Sequence, residues 1–138
     1  MQLRPGLTDD DVAAAARIDA DATGARARAR AIAAAAERGG LTLAELEGRV
    51  VGFCCLDARG FFDRPFVSLL IVAPHARRRG VGLGLLRAAA SGRAETWTST
   101  NRSNAPMRSL LASAGWRFCG EVEGLDVGDP ELFFKTLG

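Results

Sequence analysis

A turn rich in arginine and glycine is the stretch of the sequence best suited to chemistry. Three arginines at residues 77–79 are followed by Gly80, Gly82 and Gly84. A glycine in a helix costs about 1 kcal/mol relative to alanine, so this spacing suggests that a ligand approaches the backbone closely. Unpaired N–H groups at a helix N-terminus favour phosphate, and arginine adds positive charge and bidentate donors. The turn therefore predicts a binding site for a pyrophosphate.

The segments around this turn predict a buried strand before it and a helix after it. Residues 66–72 are apolar except for one serine and are followed by Pro74, as is typical of a central strand. Two familiar phosphate-binding loops do not fit. A dinucleotide-binding motif would need glycine at Leu85, and no P-loop sequence is present. The remaining alternative is a surface turn that caps the helix and binds nothing.

Composition limits the classes of function. The chain has 138 residues, of which 48% are hydrophobic, so we expect one domain over residues 1–138 with its own core. The net charge is only +2 and there is no long basic block, which argues against nucleic acid as a partner. No apolar run of signal or membrane length is present, so we expect no membrane association.

The cysteines favour a reduced compartment over a disulfide framework. There are three, and Cys54 and Cys55 are neighbours that would face opposite sides of a strand. The chain has a single histidine, His75, so no zinc-ligand pattern is evident. We therefore predict a cytoplasmic protein that binds no metal ion.

Periodicity and turn residues along the chain predict an α/β (α+β) fold with the element order β-α-α-β-β-β-α-β-α-β-β. Residues 57–65 are predicted to be a loop that carries the apolar pair Phe61 and Phe62. The predicted strands are 1–4, 41–47, 50–56, 66–72, 94–100, 116–123 and 131–137. The predicted helices are 9–20, 25–38, the segment from the glycine turn to 92, and 105–114.

The strand, turn and helix together resemble the signature of the GNAT superfamily of acyl-CoA-dependent N-acyltransferases. That signature is Arg or Gln, two residues, Gly, one residue, then Gly or Ala, after a strand that ends V-x-P. Here it is found at residues 77–82, after residues 72–74. The predicted element order is also that of the GNAT fold. The resemblance therefore implies a mixed central sheet of about six to seven strands with about four helices, and acetyl-CoA as cosubstrate.

The same resemblance implies which residues contact coenzyme A. Asn104 falls on the family asparagine that contacts the pantetheine arm, and an unpaired backbone N–H near residues 70–72 would hold the thioester oxygen. The diphosphate would lie on the main-chain amides of the turn. The implied cofactor contacts are Leu70, Ile71, Val72, Arg77, Arg78, Arg79, Gly80, Val81, Gly82, Leu83, Gly84, Asn104 and Met107.

The catalytic residues of the family are only partly matched. The tyrosine that is the usual general acid corresponds to Leu111, and the chain contains no tyrosine. We expect water, Ser109 or Ser113 to take that role. The glutamate found in members that acetylate protein N-termini corresponds to Ser99, so another general base is needed. We predict Glu123 for it, from a set of carboxylates that comprises Glu45, Glu47, Asp63, Glu121, Glu123 and Asp126.

Other side chains would lie near the acceptor in a fold of this kind. Arg26 and Arg30 share a helix face, which we interpret as a solvated surface, the alternative being attraction of an acidic acceptor. Phe61 and Phe62 would either line the acceptor pocket or pack on the edge of the sheet.

Two functions of different classes follow from these residues. The first is an N-acetyltransferase that transfers an acetyl group directly, in a ternary complex, to a primary amine of a small molecule or peptide. The second is a non-catalytic acyl-CoA-binding sensor or interaction module, suggested by the missing tyrosine. A nucleotide-phosphate binder is an unrelated third reading. The resemblance also allows a homodimer.

Overall fold

The computed structural model describes residues 1–24 and 28–137. Within them, seven strands form one mixed sheet in the order β1-β2-β3-β4-β5-β7-β6. The strands are β1 (Gln2–Pro5), β2 (Leu41–Leu46), β3 (Arg49–Phe61), β4 (Arg64–Val72), β5 (Glu95–Asn101), β6 (Arg117–Val122) and β7 (Glu131–Leu137). The helices are α1 (Asp9–Thr23), α2 (Ala29–Glu37), α3 (Val81–Ala90) and α4 (Ala105–Ser113), and a single 3-10 turn (Pro74–Ala76) precedes α3.

The predicted element order and the mixed sheet are confirmed. Apolar residues form a core on each face of the sheet. One core packs α3 and α4 against the sheet and includes Leu86, and the other packs α1 and α2 and includes Ile32. Neighbours on β3 alternate between the two cores, because successive strand side chains point to opposite faces. Cys54 accordingly belongs to the first core, and Phe53 to the second.

Helix α1 begins with a capping box that also attaches β1. The Thr8 hydroxyl accepts a hydrogen bond from Asp11 N–H, and the Asp11 carboxylate accepts from the N–H groups of Leu7 and Thr8. Arg4 on β1 donates two hydrogen bonds to the same carboxylate, at 2.9 and 3.1 Å. These bonds, that of Arg4 above all, hold the pKa of Asp11 well below its ordinary value.

The prediction of a loop at residues 57–65 is wrong. β3 continues to Phe61 and β4 starts at Arg64, so the turn between them consists of Phe62 and Asp63. Both have positive φ, 49° and 69°, which a type I′ hairpin requires. Such turns usually contain asparagine or glycine. Neither residue type stands at those two positions, so a two-residue hairpin has no local signal here.

The two alternatives for Phe61 are lining the acceptor pocket and packing on the edge of the sheet. In the structure its ring packs on the sheet. Its ring centroid lies 5.1 Å from that of Trp97, 5.3 Å from that of Phe133 and 5.4 Å from that of Phe66. Phe62 is 81% exposed at the hairpin tip. The end of β3 therefore bends over the face of the sheet, although β4 separates it from β5 in the strand order.

Strands β4 and β5 separate soon after they meet. They pair in parallel only at Phe66–Trp97 and Val67–Thr98 within the described residues, whereas β4 stays paired with β3 as far as Val72. At the last joint pair, the Thr98 hydroxyl donates a 2.9 Å hydrogen bond to the Val67 carbonyl. The divergence beyond this point opens the middle of the sheet.

Candidate active site

A cleft of about 970 Å³ occupies the gap between β4 and β5. Its walls come from both faces of the sheet, because they include the start of α3 and one side of α4 as well as the end of α1. The backbone of β4 beyond its last joint pair with β5 borders this gap. The lining comprises residues 67–72, 76–78, 80–83 and 98–101, together with Ala22, Thr23, Arg28, Asn104, Pro106, Met107, Ser109, Leu110, Ser113 and Glu131.

The arginine-glycine turn directs the start of α3 into this cleft. Arg78 and Gly80 both have left-handed backbone, with φ of 64° and 81°. The first hydrogen bond within α3 runs from Gly84 N–H to Gly80 C=O, at 3.0 Å. The N–H groups of residues 81–83 therefore precede the helical ladder, and all three residues line the cleft. This is the arrangement that suits a phosphate group.

The three glycines of the turn serve different purposes. At Gly80 a Cβ would meet nothing within 4 Å, so the space around it does not require glycine. The positive φ favours glycine there instead. A Cβ on Gly82 would lie 2.8 Å from a methyl group of Leu110, and one on Gly84 would lie 2.5 Å from the Met1 methyl group. The prediction that all three admit a ligand is therefore wrong for Gly84, which packs against the chain itself.

Most of the residues implied as cofactor contacts line the cleft, and two do not. Arg79 and Gly84 lie outside the lining. Arg77 donates a 3.3 Å hydrogen bond through Nε to the Val72 carbonyl, which attaches the turn to the end of β4. The residues that do line the cleft are Leu70, Ile71, Val72, Arg77, Arg78, Gly80, Val81, Gly82, Leu83, Asn104 and Met107. Their roles stay predictions.

Asn104 fixes the beginning of α4 beside the cleft. Its side-chain oxygen accepts a 3.2 Å hydrogen bond from Met107 N–H, so it is the N-cap of the helix. The amide NH₂ is then the part of the side chain that can donate to a ligand. Ser109 and Ser113 follow on the helix face that lines the cleft.

Leu111 does not lie at the cleft. Its side chain is fully buried in the core between α4 and the sheet, and Leu110 borders the cleft instead. A tyrosine at this position would have to replace a core leucine. The position that matches the family tyrosine is therefore occupied by a packing residue in this chain.

Glu123 is not brought to the cleft either. It follows β6, the edge strand, and its side chain is exposed. Glu131 on β7 lines the cleft in its place and stands directly opposite Asn101 of β5. Four of the other carboxylates considered as the base are hydrogen-bonded or ion-paired elsewhere, namely Glu45 to Arg4, Asp63 to Arg59, Glu121 to Arg102 and Asp126 to Asn101.

Sequence reasoning missed Glu131 although part of the signal was present. Along β7, Leu132 and Phe134 are buried in the core, so Glu131 and Phe133 must face the other side of the sheet. That alternation is legible in the sequence. The pairing of β7 with β5, which carries Glu131 to the cleft, depends on contacts between distant segments and has no local signal.

The loop between β6 and β7 is attached to the β5–α4 connection. Asp129 accepts hydrogen bonds from the Ser103 hydroxyl at 2.6 Å and from Ser103 N–H at 3.0 Å. These two bonds, that of the hydroxyl above all, lower the pKa of Asp129. Asn101 donates to Asp126 at 2.9 Å and to the Asp129 carbonyl at 3.2 Å. The loop that leads into Glu131 is thereby fixed next to the cleft.

The position of Arg30 agrees with the interpretation of a solvated helix surface. Arg26 lies outside the described residues, and Arg30 is exposed and absent from the cleft lining. Arg28 lines the cleft. Among the described residues that line it, Arg28, Arg77, Arg78 and Glu131 are the charged ones.

The buried thiols are poor nucleophiles. Burial raises the pKa of Cys55 to about 12 and that of Cys54 further still, so neither forms a thiolate at neutral pH. No group of three or more His, Cys, Asp or Glu side chains in residues 1–24 and 28–137 is arranged to hold a metal ion. In the same residues, no helix has the length and apolar character needed to cross a membrane.

Comparisons with known proteins agree with this architecture. The chain is 33% identical to a GNAT-family acetyltransferase from Bacillus cereus ATCC 10987, with a TM-score of 0.92 over 99% of this chain and 96% of that one. The fold also matches the ribosomal-protein-S18-alanine N-acetyltransferase of Escherichia coli, at 19% identity, TM-score 0.79 and coverage of 99% and 92%. An aminoglycoside 6′-N-acetyltransferase solved with coenzyme A matches at 10% identity, TM-score 0.81 and coverage of 99% and 97%.

No curated protein sequence matches the chain. The family model for GNAT acetyltransferases, described as Acetyltransferase (GNAT) family, matches residues 9–116. That match spans the turn, the diverging strands and α4, which contribute most of the cleft lining. The chain therefore belongs to the GNAT acetyltransferase family.

Proposed function

We propose that this acetyltransferase transfers the acetyl group of acetyl-CoA directly to a primary amine of a small molecule or peptide. The observation that carries the proposal is one cleft that joins the amides of the Gly80 turn to the carboxylate of Glu131. A donor held at one end and an acceptor at the other would meet where β4 and β5 diverge. Both substrates can then be bound at once, as a ternary complex requires.

The reaction forms a bond between the amine nitrogen and the thioester carbonyl carbon, and breaks the carbon–sulfur bond. The amine must first lose a proton, and we propose Glu131 as its acceptor, directly or through one water. The leaving thiolate takes up a proton, for which Ser109, Ser113 or water is available at the cleft. A backbone N–H of β4 would hold the carbonyl oxygen, and such donors are typically worth about 10²- to 10³-fold in rate.

The test measures release of free CoA thiol from acetyl-CoA against a panel of primary amines and short peptides. We expect release to depend on one class of acceptor, and initial rates at varied concentrations of both substrates to give intersecting rather than parallel lines. Hydrolysis without acceptor is the background. Micromolar binding of CoA by calorimetry with no release above that background, across the whole panel, would favour the non-catalytic sensor instead.

We also propose a cytoplasmic location, which is supported by the three cysteines. Cys54, Cys55 and Cys119 are all free thiols, and Cys119 is exposed. An exposed thiol persists more readily where glutathione and thioredoxin keep cysteines reduced. Fractionation of cells that make the tagged protein would test this location. Homodimerisation stays a prediction that light scattering can check.

A further inference from the structure

The acceptor end of the cleft contains an arginine held in one orientation by a buried acid. Arg28 stands at the start of α2 and lines the cleft beside Ala22 and Thr23 of α1. Its Nε donates a 3.1 Å hydrogen bond to Asp19 Oδ2, and its Nη2 donates to Asp19 Oδ1. The Asp19 side chain is 2% exposed, whereas that of Arg28 is 37% exposed. A ligand in the cleft therefore meets the guanidinium before the carboxylate.

This ion pair leaves part of the guanidinium available. A guanidinium has five N–H donors, and the contact with Asp19 uses one on Nε and one on Nη2. Both hydrogens of Nη1 and the second hydrogen of Nη2 have no hydrogen-bond partner among residues 1–24 and 28–137. Because the two-point contact fixes the plane of the group, little side-chain entropy remains to be lost when these donors bind a ligand.

Arg28 is also separate from the cations of the turn. Of the charged residues that line the cleft within the described part of the chain, Arg77 and Arg78 belong to the turn before α3. Arg28 is the N-cap residue of α2, and Glu131 is the first residue of β7. The acceptor end thus offers one fixed cation and one carboxylate on different elements, among uncharged side chains such as Ser99 and Asn101.

We propose that the acceptor is an amine that also carries an anionic group, a carboxylate or a phosphate, and that Arg28 binds this group while Glu131 faces the amine. The amine part rests on the proposed function, and the anion part rests on Arg28 alone. If Arg28 served only to connect α2 to α1, its removal would lower stability and affect every acceptor equally. Recognition of an anion requires instead that only anionic acceptors are affected.

The first experiment compares ω-amino carboxylates with n-alkylamines of the same carbon number, as acceptors for the wild-type protein. Charge-assisted hydrogen bonds to arginine predict a kcat/KM about 10- to 100-fold higher for the amino carboxylates. The chain length with the highest kcat/KM reports the separation between Arg28 and Glu131. Aminoalkyl phosphates of matched length show whether the site prefers phosphate to carboxylate.

The second experiment uses variants that keep the fold. Arg28→Gln alone leaves the Asp19 carboxylate buried without its ion partner and can unfold the protein, so the double variant Asp19→Asn with Arg28→Gln removes both charges. Arg30→Gln is the control, since Arg30 is an exposed arginine on α2 that does not line the cleft. We expect the double variant to lose the preference for anionic acceptors and to keep its kcat/KM for alkylamines. The control should behave as wild type.

Calorimetric titration of the same compounds into the CoA complex separates this inference from the proposed function. Binding of amino carboxylates that the double variant loses supports the anion site, even if no amine is acetylated. Turnover of alkylamines and amino carboxylates at equal rates, unchanged by the double variant, overturns the inference and leaves the proposed function intact. The inference is also overturned if no amino carboxylate or aminoalkyl phosphate binds or reacts more strongly than the alkylamine of the same length, which lacks the anionic group.

Discussion

The two ends of the cleft are built in different ways. The end at the turn comes largely from one stretch of chain, residues 67–83, and presents backbone N–H groups at the start of α3. The other end combines side chains from three distant elements: Arg28 at the start of α2, Ser99 and Asn101 on β5, and Glu131 on β7. Both ends border the same gap between β4 and β5.

This difference separates a site made by the backbone from a site made by side chains. A backbone site tolerates many side chains, because its geometry depends on φ angles and helix polarity rather than on residue type. A side-chain site changes with single substitutions, because its geometry depends on residue type. We therefore expect variants at the two ends to affect different steps of the reaction.

The largest effect should come from Glu131→Gln. Loss of a general base lowers kcat by about 10²- to 10⁴-fold. The affinity for CoA should stay within about twofold of wild type, because we propose that CoA binds at the other end. Steady-state rates and calorimetry measure the two quantities. Glu123→Gln is the matched control and should leave both unchanged. A large loss of activity in the control with none in Glu131→Gln would return the role to Glu123.

Thr98→Val tests the joint between the two halves of the sheet. The change removes the hydrogen bond from the Thr98 hydroxyl to the Val67 carbonyl. Loss of a partner for a buried polar group costs about 1–3 kcal/mol of the free energy of unfolding. Thr96 is buried on the same strand, and its hydroxyl makes no hydrogen bond with any described residue. Thr96→Val should therefore be neutral or stabilising in denaturant titrations. Equal losses in both variants would contradict a specific role for the Thr98 bond.

Gly80→Ala tests the backbone end. A left-handed conformation costs an L-residue about 1–2 kcal/mol relative to glycine, so we expect roughly tenfold weaker CoA binding by calorimetry as the turn shifts. The KM for the amine at saturating acetyl-CoA should not change. Gly84→Ala is the control, because Gly84 has ordinary φ and the close contact of an added Cβ is with the flexible Met1 side chain. Weaker CoA binding in the control alone would refute this account of the turn.

The smallest effect concerns the loop that leads into Glu131. The pKa of Asp129 is lowered in the folded protein, so its carboxylate stabilises the fold above the unfolded value of about 3.9 and ceases to do so as pH falls through the lower folded value. Asp129→Asn should melt at a slightly lower temperature than wild type at pH 7. The difference should shrink below about pH 3.9. A difference that grows as the pH falls would reverse the assigned sign.

The fold was predictable because its elements carry strong local signals. Pro74 ends the central strand, the turn at residues 77–84 begins a helix, and the alternation of β7 is visible in the sequence. The β3–β4 hairpin was not predictable in this way, because Phe62 and Asp63 adopt positive φ without the usual residue types. Contacts that Phe61 makes with residues far along the chain accompany that conformation.

The acceptor end was the least predictable part of the site. Glu131 reaches the cleft only because β7 lies beside β5, and Arg28 only because α2 packs beside α1. Leu111 shows the opposite case, since alignment with the family motif suggests a catalytic position and packing makes it a core residue. Local sequence indicates which segments form strands and helices and which turn suits a phosphate, but not which side chains meet across the sheet.

The short contact between β4 and β5 has a thermodynamic consequence. The strands on either side of the gap share backbone pairing at two positions only, Phe66–Trp97 and Val67–Thr98, among the described residues. A cosubstrate that spans the gap would contact both strands β1–β4 and strands β5–β7. These contacts would stabilise the two groups of strands against separation, to which the short β4–β5 pairing contributes little. Without cosubstrate, the pairing between β4 and β5 should therefore open before the rest of the protein unfolds. Hydrogen exchange of the β4 and β5 amides should slow when CoA is bound.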